Sequence, residues 1–380
     1  MVLEALTASG WKRTIAAHAL GVTPRALGGR IARMRARGHD IPNSPYDGVP
    51  FSDTTYYAPP PKGFNVKGVS TLHGPDGEVK AQWVKTAVGE KSPEQWTEHV
   101  RDALAAVEPL PKVPSPPAGR KDLLTVYPIG DHHVAMYAWG EETGADYDLK
   151  IAEQLLVGAV THLVECAPTS DTAMIVNVGD FFHVDNLRNE TSRSHNALDV
   201  DTRYQAMIRA GVRMLRAVVE LALTKHRRVR IVNACGNHDD IGAMWLSLAL
   251  SLFYENNPRV EVELKPGKFH YYRHGKVLIG VTHGDSVKLE RLQGVMSADR
   301  SQDWGETRHR YWLTGHIHQR KVLEDAGVMI ESFRTLAARD AWASAAGYRS
   351  GRDMTAIVFH AEHGEVARHR VDVGMLECGR

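Results

Sequence analysis

Apolar residues fall into three textures along the 380-residue chain. Over residues 1–42 they recur at helical spacing. Leu3 and Leu6 begin one short helix, Trp11 to Arg13 break it, Thr14 to Leu20 form a second, and Gly21-Val22 turns the chain. Thr23 and Pro24 then open a third helix as N-cap hydroxyl and first helical residue. Leu27, Ile31 and Met34 stand at i, i+4 and i+7, one buried stripe, and Gly38 is placed for a C′ stop. From 43 to 118 the periodicity lapses. Pro59-Pro60-Pro61 and Pro109 to Pro117 are stiff and linker-like. Between them Gly68 to Lys85 predicts two strands around a Gly-Pro-Asp-Gly turn, within a hairpin over about 64–88, and Ser92 to Val107 an amphipathic helix.

A third texture, from 119 to 376, alternates strands with helices. Strands are predicted at Leu123–Ile129, Met174–Val178 and Val229–Cys235, and helices at Asp146–Cys166, Asp201–Lys225 and Ile241–Tyr254. Later segments look antiparallel. Phe269–Arg273 and Val277–Thr282 flank a His274-Gly275-Lys276 turn, followed by Trp312-Leu313, Val328–Ser332, Thr355–His360 and Val366–Val371. Helices early and hairpins late predict an α/β (α+β) domain of two sheets packed face to face with helices outside.

Charge alters this picture locally. The whole chain is +1, from 46 Lys/Arg and 45 Asp/Glu. Residues 1–42, however, hold seven Lys/Arg against two Asp/Glu, a net +5 that leaves the remainder at −4. Three scattered cysteines make neither a disulfide framework nor a zinc knuckle. The start of the chain lacks a secretory pattern, and the longest apolar stretch, 241–253, is short of a membrane span. The expectation is a soluble protein of a reducing cytoplasm, with no membrane partner. Twenty histidines are the unusual count, since imidazole is the commonest side-chain metal ligand.

Those histidines concentrate after five strands. The clusters are Gly130-Asp131-His132-His133, Gly179-Asp180-Phe181-Phe182-His183, Gly236-Asn237-His238-Asp239, His283-Gly284-Asp285 and Gly315-His316-Ile317-His318. In α/β sheets ligands gather beyond the carboxyl ends of strands. Residues two apart in extended chain point to one side, so Asp131 with His133, and His316 with His318, are expected to converge; His132 falls out of phase. Flanking glycines let the chain turn sharply. Mixed His/Asp/Asn donors without sulfur exceed one tetrahedral zinc and suit two borderline or hard divalent ions. Such a pair suits phosphate-ester hydrolysis.

The order Asp-x-His, Gly-Asp, Gly-Asn-His-Asp, His, Gly-His-x-His resembles the calcineurin-like metallophosphoesterases over roughly residues 123–320. The resemblance implies a four-layer α/β/β/α sandwich. It implies Asp131, His133 and His318 on one metal and Asn237, His283 and His316 on the other, with Asp180 bridging. His238 would face the scissile phosphate, oriented by Asp239. The ions implied are Mn²⁺ first, with Fe²⁺, Zn²⁺ or Mg²⁺ as alternatives. Where most members carry Asp three residues after the bridging aspartate, this chain has His183. Gly-Asp-x-Phe-His is similar to the DNA-repair nuclease branch, whose histidine lies beside the phosphate. The first forty residues resemble helix-turn-helix DNA-binding domains, and the combination, including the Gly68–Lys85 hairpin, looks like phage and prophage metallophosphoesterases, which implies a bacterial host cell.

The expected activity is hydrolysis of DNA phosphodiesters by an enzyme anchored through residues 1–42. Arg25 and Arg30 are expected in the groove and Arg33, Arg35 and Arg37 on phosphates. Competing readings are a phosphatase or small-nucleotide phosphodiesterase on the same metals, and a DNA-binding regulator with a ligand-sensing, non-catalytic phosphoesterase fold. Expected partners are DNA, a second copy in a homodimer and a separate ATPase, since no Walker-type Gly-x-x-x-x-Gly-Lys motif appears. His195, Asp199, Asp201 and Arg203 are taken as an acidic helix start. Asp340 and Trp342 either close over the site or pack.

Overall fold

The computed structural model describes residues 2–9, 13–37, 64–73, 79–88, 113–192 and 194–377. The chain divides into two compact units, Met1–Ser92 and Pro93–Arg380. In the smaller unit, α1 (Val2–Ala8), α2 (Arg13–Ala19) and α3 (Pro24–Ala36) enclose Leu6, Ala16, Ala17, Leu27 and Ile31. Thr23 caps α3 through its Oγ1, which accepts from the Ala26 N–H at 3.2 Å, satisfying one of the orphan donors of a helix start. β1 (Phe64–His73) and β2 (Val79–Val88) pair antiparallel. The 92–107 helix, the Gly-Pro-Asp-Gly turn, Gly38 and most of the predicted linker lie outside the described residues.

The larger unit is a four-layer sandwich. Its first sheet has the order β13-β12-β3-β4-β5-β6, from β3 (Arg120–Ile129), β4 (Ser170–Asn177), β5 (Arg228–Asn233), β6 (Val260–Val262), β12 (Asp353–His360) and β13 (Gly364–Asp372). β3 to β6 run parallel, and β12 and β13 are antiparallel additions. The second sheet is β10-β11-β9-β8-β7, from β7 (His270–His274), β8 (Val277–Val281), β9 (His309–Thr314), β10 (Lys321–Asp325) and β11 (Val328–Ser332). Helices between these strands are α4 (Gly140–Thr143), α5 (Leu149–Cys166), α6 (Tyr204–Lys225), α7 (Gly242–Phe253), α8 (Leu292–Asp299), α9 (Ser301–Glu306) and α10 (Ala341–Ala345), with α11 (Val373–Glu377) after β13.

Alternation along the strands divides the core into layers. Leu124, Val126, Met174, Val176 and Val232 meet Val277, Ile279, Val281 and Leu313 between the sheets. Their neighbours Tyr127, Ile129, Ala173, Ile175 and Ile231 face α5, α6 and α7. On the far side Leu278, Trp312, Val328 and Ile330 pack on Leu292 and Met296 of α8. Strands buried on both faces read as unbroken apolar runs, which is why they were legible without alternation. Trp312 is fully buried, and a Cβ on the facing Gly280 would sit 2.6 Å from its ring.

The second sheet corrects the antiparallel expectation. β8, β9 and β11 are mutually parallel, and only the edges β7 and β10 run the other way. Parallel neighbours need a crossover, and α8 with α9 supplies it between β8 and β9. Asp201 is also corrected: its carboxylate accepts from the Leu149 N–H at 2.6 Å, so it serves the start of α5 and not of the helix that follows it.

Candidate metal centre

All five clusters emerge at the carboxyl ends of strands, but not as extended chain. Asp131 (φ 37°), His133 (φ 48°), Asp180 (φ 52°), His316 (φ 72°) and His318 (φ 51°) are five of the nine described non-glycine residues with positive φ. Each such residue carries backbone strain on the order of 1–3 kcal/mol, held only where the surroundings over-determine it. Asp131 and His133 therefore converge through left-handed turns, whereas His316 and His318 part to different donor groups, so the extended-strand reading is overturned for both pairs.

Glycines make room for the carboxylates. A Cβ on Gly236 would lie 2.0 Å from Asp180 Oδ1, and one on Gly315 would lie 2.6 Å from Asp131 Oδ2. Gly179 adds a true turn at φ 102°.

The side chains form three groups, the first and last sharing His133: Asp131, His133 and His318; Asp180, His283 and His316; and His133, His183 and His238. Within each, the donor atoms lie within 4.8 Å of one another. In the first, His318 Nε2 is 3.2 Å from His133 Nε2 and 3.4 Å from Asp131 Oδ1. In the second, His283 Nε2 is 3.1 Å from Asp180 Oδ2 and 3.2 Å from Asn237 Oδ1. His283 Nδ1 donates to the Val178 carbonyl at 3.0 Å. That back-side bond fixes the ring with Nε2 forward, as metal-binding imidazoles require.

Asp180 lies electrostatically between the groups, its charge acting on His133 and His318 as well as on His283 and His316. Burial works against a charge on His283, but Asp180 and Asp131 overcome it and hold the ring's pKa up to about 10. Burial, then the neighbouring His238, His318 and His183, depress His133. His132 points away, its ring against the Ala152 carbonyl at 3.1 Å.

Two expected roles change. Asp239 does not reach the His238 ring. Its fully buried carboxylate accepts from Asp180, Phe181, Phe182 and Gly236 N–H groups at 2.9–3.2 Å, which exhausts it as an orienter and makes it the clamp of the Asp180 loop. Burial first and the Asp180 charge next push its pKa up, against the pull of those donors. The His238 ring is held instead by Nδ1 donating to the His183 carbonyl at 2.8 Å. His183, expected beside the phosphate, is 1% exposed. Its Nδ1 faces His133 Nδ1 at 3.1 Å, and its ring stacks on His238 at 5.4 Å.

Of the remaining candidates, Arg25, Arg30, Arg33 and Arg37 are exposed and Arg35 is partly buried. His195 pairs with Glu190 at 3.2 Å. Asp340 caps α10 through the Ala343 N–H at 2.7 Å, and Trp342 stacks on Tyr348. The reading of sequence missed Asp185, which accepts from Ile241 and Gly242 N–H groups at 2.7 and 2.8 Å and so caps α7 beside His238. Its position two residues after His183 carries no motif that marks it.

Fold and site together define an α/β sandwich with a His/Asp cluster at its strand ends. No protein-family model matches the chain, and no curated protein does. Among solved structures it is similar to a predicted phosphoesterase from Streptococcus pneumoniae TIGR4, at 11% identity over 66% of this chain and 98% of that one, with TM-score 0.28. Zinc-complexed Vps29 from Entamoeba histolytica gives 12%, 65%, 98% and 0.27. An archaeal phosphodiesterase gives 12%, 65%, 99% and 0.33.

Proposed function

We propose that this chain is a two-metal-ion phosphodiesterase of the calcineurin-like superfamily, of phage type, that hydrolyses DNA and is anchored to it by α1–α3 acting as a helix-turn-helix. Two neighbouring donor groups, Asp131 with His133 and His318 and Asp180 with His283 and His316, carry the reading, with His283 Nδ1 3.9 Å from Asp131 Oδ1. The residues fit a pair of cations. Asp131 Oδ2 is buried without a hydrogen-bond partner, and glycines cradle both carboxylates. Asp131, His133 and His318 would hold one ion; Asn237, His283 and His316 the other; Asp180 both. Oxygen and nitrogen donors without thiolate suit borderline or hard divalent ions, of which Mn²⁺ is proposed first, with Fe²⁺, Zn²⁺ and Mg²⁺ behind it. When bound, two such ions lower the pKa of a water and neutralise phosphate oxygens.

The chain's own groups do the rest. The His238 N–H donates to Asp180 Oδ1 at 2.8 Å, and the His316 N–H to Asp131 Oδ1 at 2.8 Å, so the main chain orients both carboxylates. With Nδ1 tied to His183, His238 presents Nε2 to the phosphate and protonates the leaving oxygen. His183 acts as a positioning residue behind His133 and His238. The Gly-Asp-x-Phe-His pattern and the exposed arginines of α3 support DNA as substrate.

The test is Mn²⁺-dependent cleavage of single-stranded, duplex and hairpin DNA beside a chromogenic phosphodiester. Asp180→Ala is expected to lose more than about 100-fold, beyond what outer partners of metal ligands contribute. If Asp180→Ala retains activity, the mechanism is wrong; cleavage of the small diester alone would remove DNA from the reading.

A further inference from the structure

Tyr137, Trp139, Trp342 and Tyr348 are 42–69% exposed, and they are the exposed aromatic side chains among the described residues of the larger unit. They stand on two segments that adjoin at α4 and α10, where the Arg339 guanidinium donates to the Thr143 carbonyl at 2.8 Å. Tyr137 and Trp139 stand on the segment leaving His133, pinned by Val134 N–H to Phe181 O (2.7 Å), Tyr137 N–H to Asp199 O (3.0 Å) and the Ala138–Tyr147 pair (2.9 and 3.0 Å). Trp342 belongs to α10, which is tied to α4 by the Ser344 hydroxyl donating to the Glu142 carbonyl at 3.2 Å. The Trp342 and Tyr348 rings stack at 5.6 Å and 30°. Between α4 and α10 opens a cleft of about 210 Å³ lined by Tyr137, Trp139, Glu142, Asp199 and Ala341 among others.

Aromatic side chains are the largest apolar surfaces a chain can bury, so four left exposed on adjoining segments mark a binding surface. Its location selects the occupant. Tyr137 is four residues from His133, at most about 14 Å along the chain, within reach of a strand whose phosphate lies at the metals. The Glu142 and Asp199 carboxylates accept from exocyclic base amines. The exposed Arg349 follows Tyr348 and offers a cation to a flanking phosphate. Every base has a π-face, so such a surface is sequence-tolerant.

We propose that Tyr137, Trp139 and the Trp342–Tyr348 pair are a stacking platform for unpaired nucleobases next to the scissile phosphate, making single-stranded or splayed DNA the substrate class. The inference rests on the phosphodiesterase reading. The experiment uses the full chain with Mn²⁺, tetradeoxyadenylate, and a base-free strand of the same length, both too short to offer duplex to α3. Trp139→Ala and Trp342→Ala are each expected to raise KM for tetradeoxyadenylate on the order of ten-fold, with kcat held and the base-free strand unaffected. Trp139→Phe restores most of the loss. An unchanged KM, or an equal rise on the base-free strand, overturns the platform. If the wild type cleaves neither strand, the phosphodiesterase reading fails instead, and anisotropy of labelled tetradeoxyadenylate then decides the platform. Equal affinity for wild type and Trp139→Ala would sink it.

Discussion

Gly236 shows how narrowly single positions constrain the centre. Any side chain there displaces Asp180, whose Oδ1 occupies the space of the missing Cβ, so the glycine serves close approach and not a left-handed turn. Gly236→Ala is expected to keep the far-UV spectrum and weaken Mn²⁺ binding by at least about ten-fold, read by calorimetry. Gly294→Ala, in α8 with nothing near its Cβ position, is the control and is expected to be neutral or slightly stabilising. Equal Mn²⁺ affinity for the wild type and Gly236→Ala would contradict this account of the cradle. At this scale the ligand types were legible in sequence because motif order and spacing survive in the one-dimensional string. The roles of Asp239 and His183 were not, because both depend on which main-chain groups arrive from elsewhere.

Among elements, α7 illustrates how helix ends and the site share residues. Its N-terminus has no cap from its own sequence, Ile241 making no side-chain bond. Asp185, from the loop after His183, supplies the acceptor for the Ile241 and Gly242 donors. Asp185→Ala is therefore expected to cost about 1 kcal/mol, lowering Tm by about 2–4 °C in a thermal melt, with Asp185→Asn recovering most of it. A melt of Asp185→Ala identical to the wild type would remove the cap. Strands such as β4, β5 and β8 were visible as apolar runs. By contrast β6, of three residues, and β10, partly exposed, offer too few buried positions to stand out. The parallel course of β8, β9 and β11 was hidden too, since strand direction depends on the crossover and not on the strand's own residues.

For the whole molecule, the charge distribution separates a basic N-terminal unit from a mildly acidic remainder. Under the DNA-anchoring reading, deletion of residues 1–42 is expected to lower duplex affinity at least about ten-fold. The slope of log affinity against log salt should flatten by about 3, near 0.9 for each phosphate that Arg33, Arg35 and Arg37 no longer neutralise. Turnover of a chromogenic diester should stay within about two-fold. An unchanged slope would show that α3 does not bind phosphates. Among the described residues no helix is long and apolar enough to cross a membrane.

The sequence by itself determined the ligand inventory, the strand and helix alternation and the basic character of α3, because residue type, order and local period are properties of the string. Only the tertiary structure decided how those residues meet. Left-handed turns at Asp131, His133, Asp180, His316 and His318, the four main-chain donors that claim Asp239, and the adjoining placement of the segments that carry Tyr137, Trp139, Trp342 and Tyr348 all arise where distant parts of the chain come together. Their energies come from packing and main-chain hydrogen bonding across the sandwich, which no local pattern encodes.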